Sequence, residues 1–97
     1  MKLFIFARFH AREEKESDLI SALTTVSAAT RPEPECLGHQ VFGSTTDPRL
    51  FFIHSQWANE AAFDRHVGLP HTLLFVEQVR QLIDHELDVV RTRQMDA

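Results

Sequence analysis

Residues 2 to 10, Lys-Leu-Phe-Ile-Phe-Ala-Arg-Phe-His, constrain this chain more than any other stretch. They are rich in aromatic residues, include the β-branched Ile5 and read as a strand, yet the apolar pattern does not alternate. Leu3, Ile5, Ala7 and Phe9 fall on one face, and Phe4, Phe6, Arg8 and His10 on the other. A strand apolar on both faces has to be covered on both faces. A chain of 97 residues has room for one domain around one core, so residues 1–97 are read as a single unit. Its own helices can cover one side of a sheet. Something else has to cover the other.

The rest of the chain supplies those helices and three more strands. From residue 13 to residue 30 the apolar period becomes helical, with Leu19, Leu23, Val26 and Thr30 as a stripe widened by Ile20 and Ala22. Glu13, Glu14 and Glu16 suit a helix N-terminus, and Pro32 and Pro34 stop the helix. Residues 36–45 read as a second strand, Thr46-Asp47-Pro48-Arg49 as a turn, and residues 50–57 as a third strand, which makes a hairpin. Asn59 is a suitable N-cap for a short helix over residues 60–66, which Gly68 and Pro70 break. A longer helix is expected over 71–84, with Phe75, Val79, Leu82 and Ile83 inward, and a last strand over 86–93. The order βαββ(α)αβ predicts an α+β, ferredoxin-like fold, with a four-stranded antiparallel sheet and helices on one face. The other sheet face carries apolar side chains, so a homodimer through sheet faces is expected, closing into a dimeric α+β barrel. A stable interface buries roughly 800 Å² per partner, which such a face could supply.

Charge and composition exclude several function classes. The net charge is −4 and the ten Lys and Arg are scattered, so no basic stripe exists for nucleic acid. No apolar run approaches the roughly 18 to 20 residues of a membrane span. The apolar start is interrupted by Arg8 and the charged run from Arg12 to Glu16, which makes a poor secretory signal. A single cysteine, Cys36, cannot form an intramolecular disulfide and reads as a small buried hydrophobe. A cytoplasmic location is therefore expected.

Polar groups in unusual places mark candidate site residues. His66 ends the short helix and is the foremost functional candidate, with His71 just beyond the break. Their spacing is not the i, i+4 of two ligands on one helix face, and no HExxH or Cys/His cluster occurs, so no metal site is expected. Arg8 is a charge in an apolar strand and needs a partner or a wet cavity. Trp57 ends the third strand, where it serves either as a core anchor or as the wall of an aromatic pocket. Phe75 belongs to a set of eight phenylalanines, some of which can line a cavity for a flat ligand. His39 and His54 lie in the hairpin strands, and His10 and His85 read as solvated positions at element ends.

Several segments, taken in order, resemble one family. They are Ala7-Arg8-Phe9, the helix after it, Thr30 through Leu37 with its two prolines and cysteine, Asp47-Pro48, Phe51 through Trp57, Ala61 through His66, and Pro70-His71. With these the chain resembles the antibiotic biosynthesis monooxygenase (ABM)-like proteins. It departs from that pattern at Glu35, where relatives often have Gly, at Ser55, where many have Glu, and at His39, where many have Tyr.

The resemblance implies a dimeric α+β barrel that oxidises a small aromatic hydroquinone or phenol with O2, using neither metal nor flavin. It implies His66 or His71 as the base, with Asn59 and Arg8 orienting the substrate oxygen. Trp57, His39 and Phe75 would line the cleft. Other relatives isomerise a phosphorylated sugar or have no established reaction. An isomerase or a ligand-binding barrel protein without oxygenase activity is therefore the alternative, with ligand phosphates expected near Arg8, Arg31 or Arg91. Haem degradation is disfavoured, because Leu74-Phe75-Val76-Glu77 lacks the histidine that haem-degrading relatives carry in that helix.

Overall fold

The computed structural model describes residues 1–96 and contains seven elements. They are β1 (Leu3–His10), α1 (Glu16–Thr30), β2 (Cys36–Gly43), β3 (Leu50–Trp57), α2 (Glu60–Val67), α3 (Pro70–Arg80) and β4 (Asp88–Thr92). The strands form one antiparallel sheet in the order β2-β3-β1-β4. That is the expected α+β, ferredoxin-like arrangement. β1, apolar on both faces, is interior, pairing along its length with β3 and over Phe4–Arg8 with β4.

Antiparallel register puts directly paired residues on one face of the sheet. The covered face carries Leu3, Ile5, Ala7 and Phe9 of β1, which meet Phe51, Ile53, Ser55 and Trp57 of β3. All eight are buried, and α1 and α3 add Leu19, Leu23, Val26, Phe75 and Val79 to this core. The opposite face carries Phe6, Phe42, Phe52 and Val90, each a third to a half exposed. Arg8 lies on this face too, paired in register with Phe52 and Asp88.

Several boundaries differ from the sequence expectation, two of them for visible local reasons. Residues 12–15 form a turn with Glu14 at φ 65°, and Lys15 bonds back to the Arg12 carbonyl, so α1 starts at Glu16. The long helix stops at Arg80, because the following turn lets Ile83 bridge to Ala11 and the Asp84 N–H reach the His10 carbonyl. β4 starts at Asp88, two residues later than expected. His10 is not simply solvated. Its imidazole lies 2.7 Å from Asp84 and 3.3 Å from Asp47, and the His10 backbone N–H donates to His85 Nε2.

Candidate functional site

A cavity of about 370 Å³ lies between the covered sheet face and the helices. Ile5, Ala7, Phe9, Ile53 and Val89 form its sheet wall, and Val26, Phe63, Phe75 and Val76 its helical wall. Its polar lining is small: His39 and Ser55 from the sheet, His66 and Thr72 from the helices, and Arg91 on β4. An apolar chamber with a few placed polar groups is the usual form of a small-molecule site, and this volume lies near the lower end of the ~300–1,000 Å³ such sites span.

His66 is held by a residue that the sequence reading did not single out. Its Nδ1 lies 2.8 Å from Glu33 Oε2, and His71 Nε2 lies 2.6 Å from the same oxygen. Glu33 sits between Pro32 and Pro34, whose rings fix the backbone on either side. The loop is tied down by Glu33 N–H to the Thr30 carbonyl and Cys36 N–H to the Glu33 carbonyl. On the other side, α2 ends at Val67, and Leu69 adopts an extended conformation before Pro70 restarts the helix. That break folds His71 back beside His66, with ring centroids 6.0 Å apart. The expectation of no metal-type cluster came from spacing along the chain. Glu33, 33 residues before His66 and 38 before His71, makes one in space.

The hydrogen bonds set what His66 can do. The ionised carboxylate only accepts, so Nδ1 donates and carries the proton of the neutral ring. Nε2 then holds the lone pair, and it has no hydrogen bond to any described residue. Burial pushes the His66 imidazole below the ordinary histidine range, while its bond to Glu33 opposes that shift. Trp57 packs against the ring at 4.8 Å and Phe63 at 5.5 Å, fixing its plane.

His39 is a different kind of group. Ser27 Oγ donates to the His39 carbonyl and lies 2.8 Å from His39 Nδ1, so Nδ1 donates to Oγ and Nε2 is again the acceptor. Burial, with repulsion from His66 and Arg31, lowers the His39 pKa to about 4. It accepts a hydrogen bond near neutral pH but is too weak a base to retain a proton there.

Of the residues singled out from sequence, His66, His39 and Phe75 line the cavity. His71 stands behind His66, on the far side of Glu33. Trp57 is fully buried behind the lining, where it packs on His66 and donates its indole N–H to Ser55 at 3.1 Å. Asn59 caps α2 through the Ala62 N–H and donates to Glu35, so its side chain is occupied outside the cavity. Arg8 is separated from the cavity by the sheet itself. Ser55, noted in the sequence as a departure from the family pattern, is part of the polar lining. Beside Glu33, the sequence reading missed Thr72, since a lone hydroxyl in a helix carries no pattern. Arg91 stacks over Phe63 at 4.8 Å and bonds Glu60 and Asp64, joining β4 to α2 at the rim.

Comparison with known proteins agrees with this architecture. The sequence pattern described as "Antibiotic biosynthesis monooxygenase" matches residues 3–78. A Mycobacterium tuberculosis protein named "Putative monooxygenase Rv0793" is 27% identical over 92 residues, covering 95% of this chain and 90% of its own. A Bacillus subtilis protein named "Putative monooxygenase YcnE" is 27% identical over 86 residues, covering 89% and 90%. The solved structure of Rv0793 superposes with a TM-score of 0.93 at 26% identity, over 100% of this chain and 98% of that one. A conserved protein from Methanosarcina mazei shares the fold at a TM-score of 0.91 with only 17% identity, over 97% of this chain and 93% of its own. With the family pattern running from the first strand into the third helix, the chain belongs to the antibiotic biosynthesis monooxygenase family.

Proposed function

We propose that the protein is a cofactor-independent monooxygenase for a small aromatic hydroquinone or phenol, with His66 as the base. The observation that carries this reading is the Glu33–His66 pair, which engages Nδ1 and leaves Nε2 of this cavity-lining histidine without a hydrogen bond to any described residue. Nε2 takes the phenolic proton, and the Glu33 carboxylate stabilises the imidazolium that forms. The Ser55 hydroxyl, already accepting from Trp57, has its own proton free to donate to the phenolate oxygen. Ser55 and Thr72 take over the oxygen-holding role that sequence reasoning gave to Asn59 and Arg8.

The electron-rich anion transfers an electron to O2, and the radical pair recombines to a carbon-bound peroxide. Loss of the ring C–H proton and cleavage of the O–O bond release water and leave a new carbonyl. The balance is hydroquinone plus O2 giving hydroxyquinone plus water. The substrate supplies all four electrons, so no reductant is required. The chamber favours one or two fused rings over a larger polycycle. Among the three arginines considered for a phosphorylated ligand, only Arg91 lines the cavity, and Glu60 and Asp64 already neutralise it, which favours the aromatic reading.

The same reading includes a homodimer. Phe6, Phe42, Phe52 and Val90 form an apolar outer sheet face that water would otherwise cover, and a second copy is the partner whose face matches it. Among the described residues no helix is long and apolar enough to cross a membrane. Oxygen uptake by chelator-treated protein, screened against mono- and bicyclic hydroquinones and phenols, tests the proposal. Uptake with a subset of these compounds is expected. A folded protein that consumes no oxygen across the panel overturns it.

A further inference from the structure

The cluster that orients His66 also has the composition of a metal site. Glu33, His66 and His71 each offer one donor atom, and the three donors lie within 4.8 Å of one another. Two imidazoles and one carboxylate are a set that zinc and neighbouring first-row divalent ions bind readily. A second observation points to a cation. The Glu33 side chain is only 8% exposed, and among the described residues it pairs with no Lys or Arg, only with the two imidazoles. A buried carboxylate held by neutral donors is left without a full countercharge, which a divalent ion supplies.

From these observations we infer that Glu33, His66 and His71 form a binding site for one zinc-like divalent ion. The ion uses Glu33 Oε2, His66 Nδ1 and His71 Nε2. Metal–ligand bonds of about 2.0–2.2 Å in a tetrahedron put donors roughly 3.4 Å apart. The two contacts to Oε2, now 2.8 and 2.6 Å, therefore have to lengthen by less than about 1 Å, and the two imidazole donors, within 4.8 Å of each other, have to close by up to about 1.4 Å, which rotation of the part-exposed His71 can supply. His71 is 30% exposed and gives solvent access to the site, and water takes the fourth position. Thr72 Oγ1, 3.3 Å from His66 Nδ1, stands beside it.

Ligation changes the cavity. His66 Nδ1 can bind metal only after losing its proton, so the neutral ring then carries its proton on Nε2. Nε2 becomes a donor and ceases to be a base. Cation occupancy and base action at His66 are mutually exclusive. This consequence, unlike the binding itself, rests on the proposed oxygenase reading.

The test is calorimetric titration of chelator-treated, full-length protein with zinc chloride, together with cobalt(II) absorption as a report of coordination. The wild type is expected to bind one equivalent with a saturable signal. His71→Ala and Glu33→Gln are each expected to weaken binding by about tenfold or more. His10→Ala, which alters the Asp47–Asp84 cluster at another place in the fold, leaves binding unchanged. Circular dichroism confirms that each variant is folded, and if Glu33→Gln does not fold, His71→Ala decides. No saturable binding by zinc or cobalt, or affinity within about twofold of wild type in His71→Ala, overturns the inference. Where oxygen uptake has been found, zinc should abolish it in the wild type at the concentration that fills the site. Where none is found, the titration still decides the binding.

Discussion

His39 makes the stability of this protein depend on pH in a calculable way. The residue is 4% exposed, and its pKa is lowered to about 4, first by burial and then by repulsion from His66 and Arg31 as the ring gains a proton. An unfolded histidine titrates near ~6.5, so between those values the unfolded chain binds a proton that the native one refuses. Stability is therefore full above pH ~6.5, falls as pH drops toward 4, and levels off below. A shift of about 2.5 units at 1.36 kcal/mol each amounts to about 3 kcal/mol. Urea unfolding at fixed protein concentration from pH 8 to pH 4, for wild type and His39→Gln, isolates this contribution, because every other titrating group is common to both. The stability of wild type relative to His39→Gln is expected to decline by about 3 kcal/mol across that range. A pH-independent difference would show that His39 takes a proton in place, refuting both its burial and its assignment as an acceptor only.

Further outcomes follow from the rim, the loop and the outer sheet face. Arg91→Ala removes the tie between β4 and α2; its partners are exposed, so stability should fall by less than about 1 kcal/mol while dye exchange from the cavity speeds up in stopped flow. Glu35→Gly relieves a left-handed backbone at φ 66° but loses the contacts to Asn59 and Arg65, so denaturation should show a change within about 1 kcal/mol of zero. Phe52→Asp puts a charge into the outer face and should give monomers by sedimentation velocity with an unchanged far-ultraviolet spectrum.

The fold was legible because its strongest signals are local. The apolar pattern of β1, the helical stripe Leu19-Leu23-Val26-Thr30 and the breakers Pro32, Pro34, Gly68 and Pro70 each specify an element without reference to distant residues. The site was only half legible. His66, His39 and Phe75 stood out as residue types, but strand direction decides which face a side chain serves, and it sends Arg8 away from the cavity. Glu33 looked like one acid in a proline-rich turn, and only the packing of that turn against the α2–α3 break gives it two histidines. Glu35 carries a left-handed backbone at φ 66°, which glycine adopts without steric cost.

The most direct test of the central claim uses isotopically heavy O2 and chelator-treated protein with the best hydroquinone from the oxygen-uptake screen. The account predicts one heavy oxygen atom in the product, the other in water, and loss of this incorporation in His66→Gln with the cavity still able to bind the substrate. An unlabelled product, or labelling that persists undiminished in His66→Gln, would contradict it.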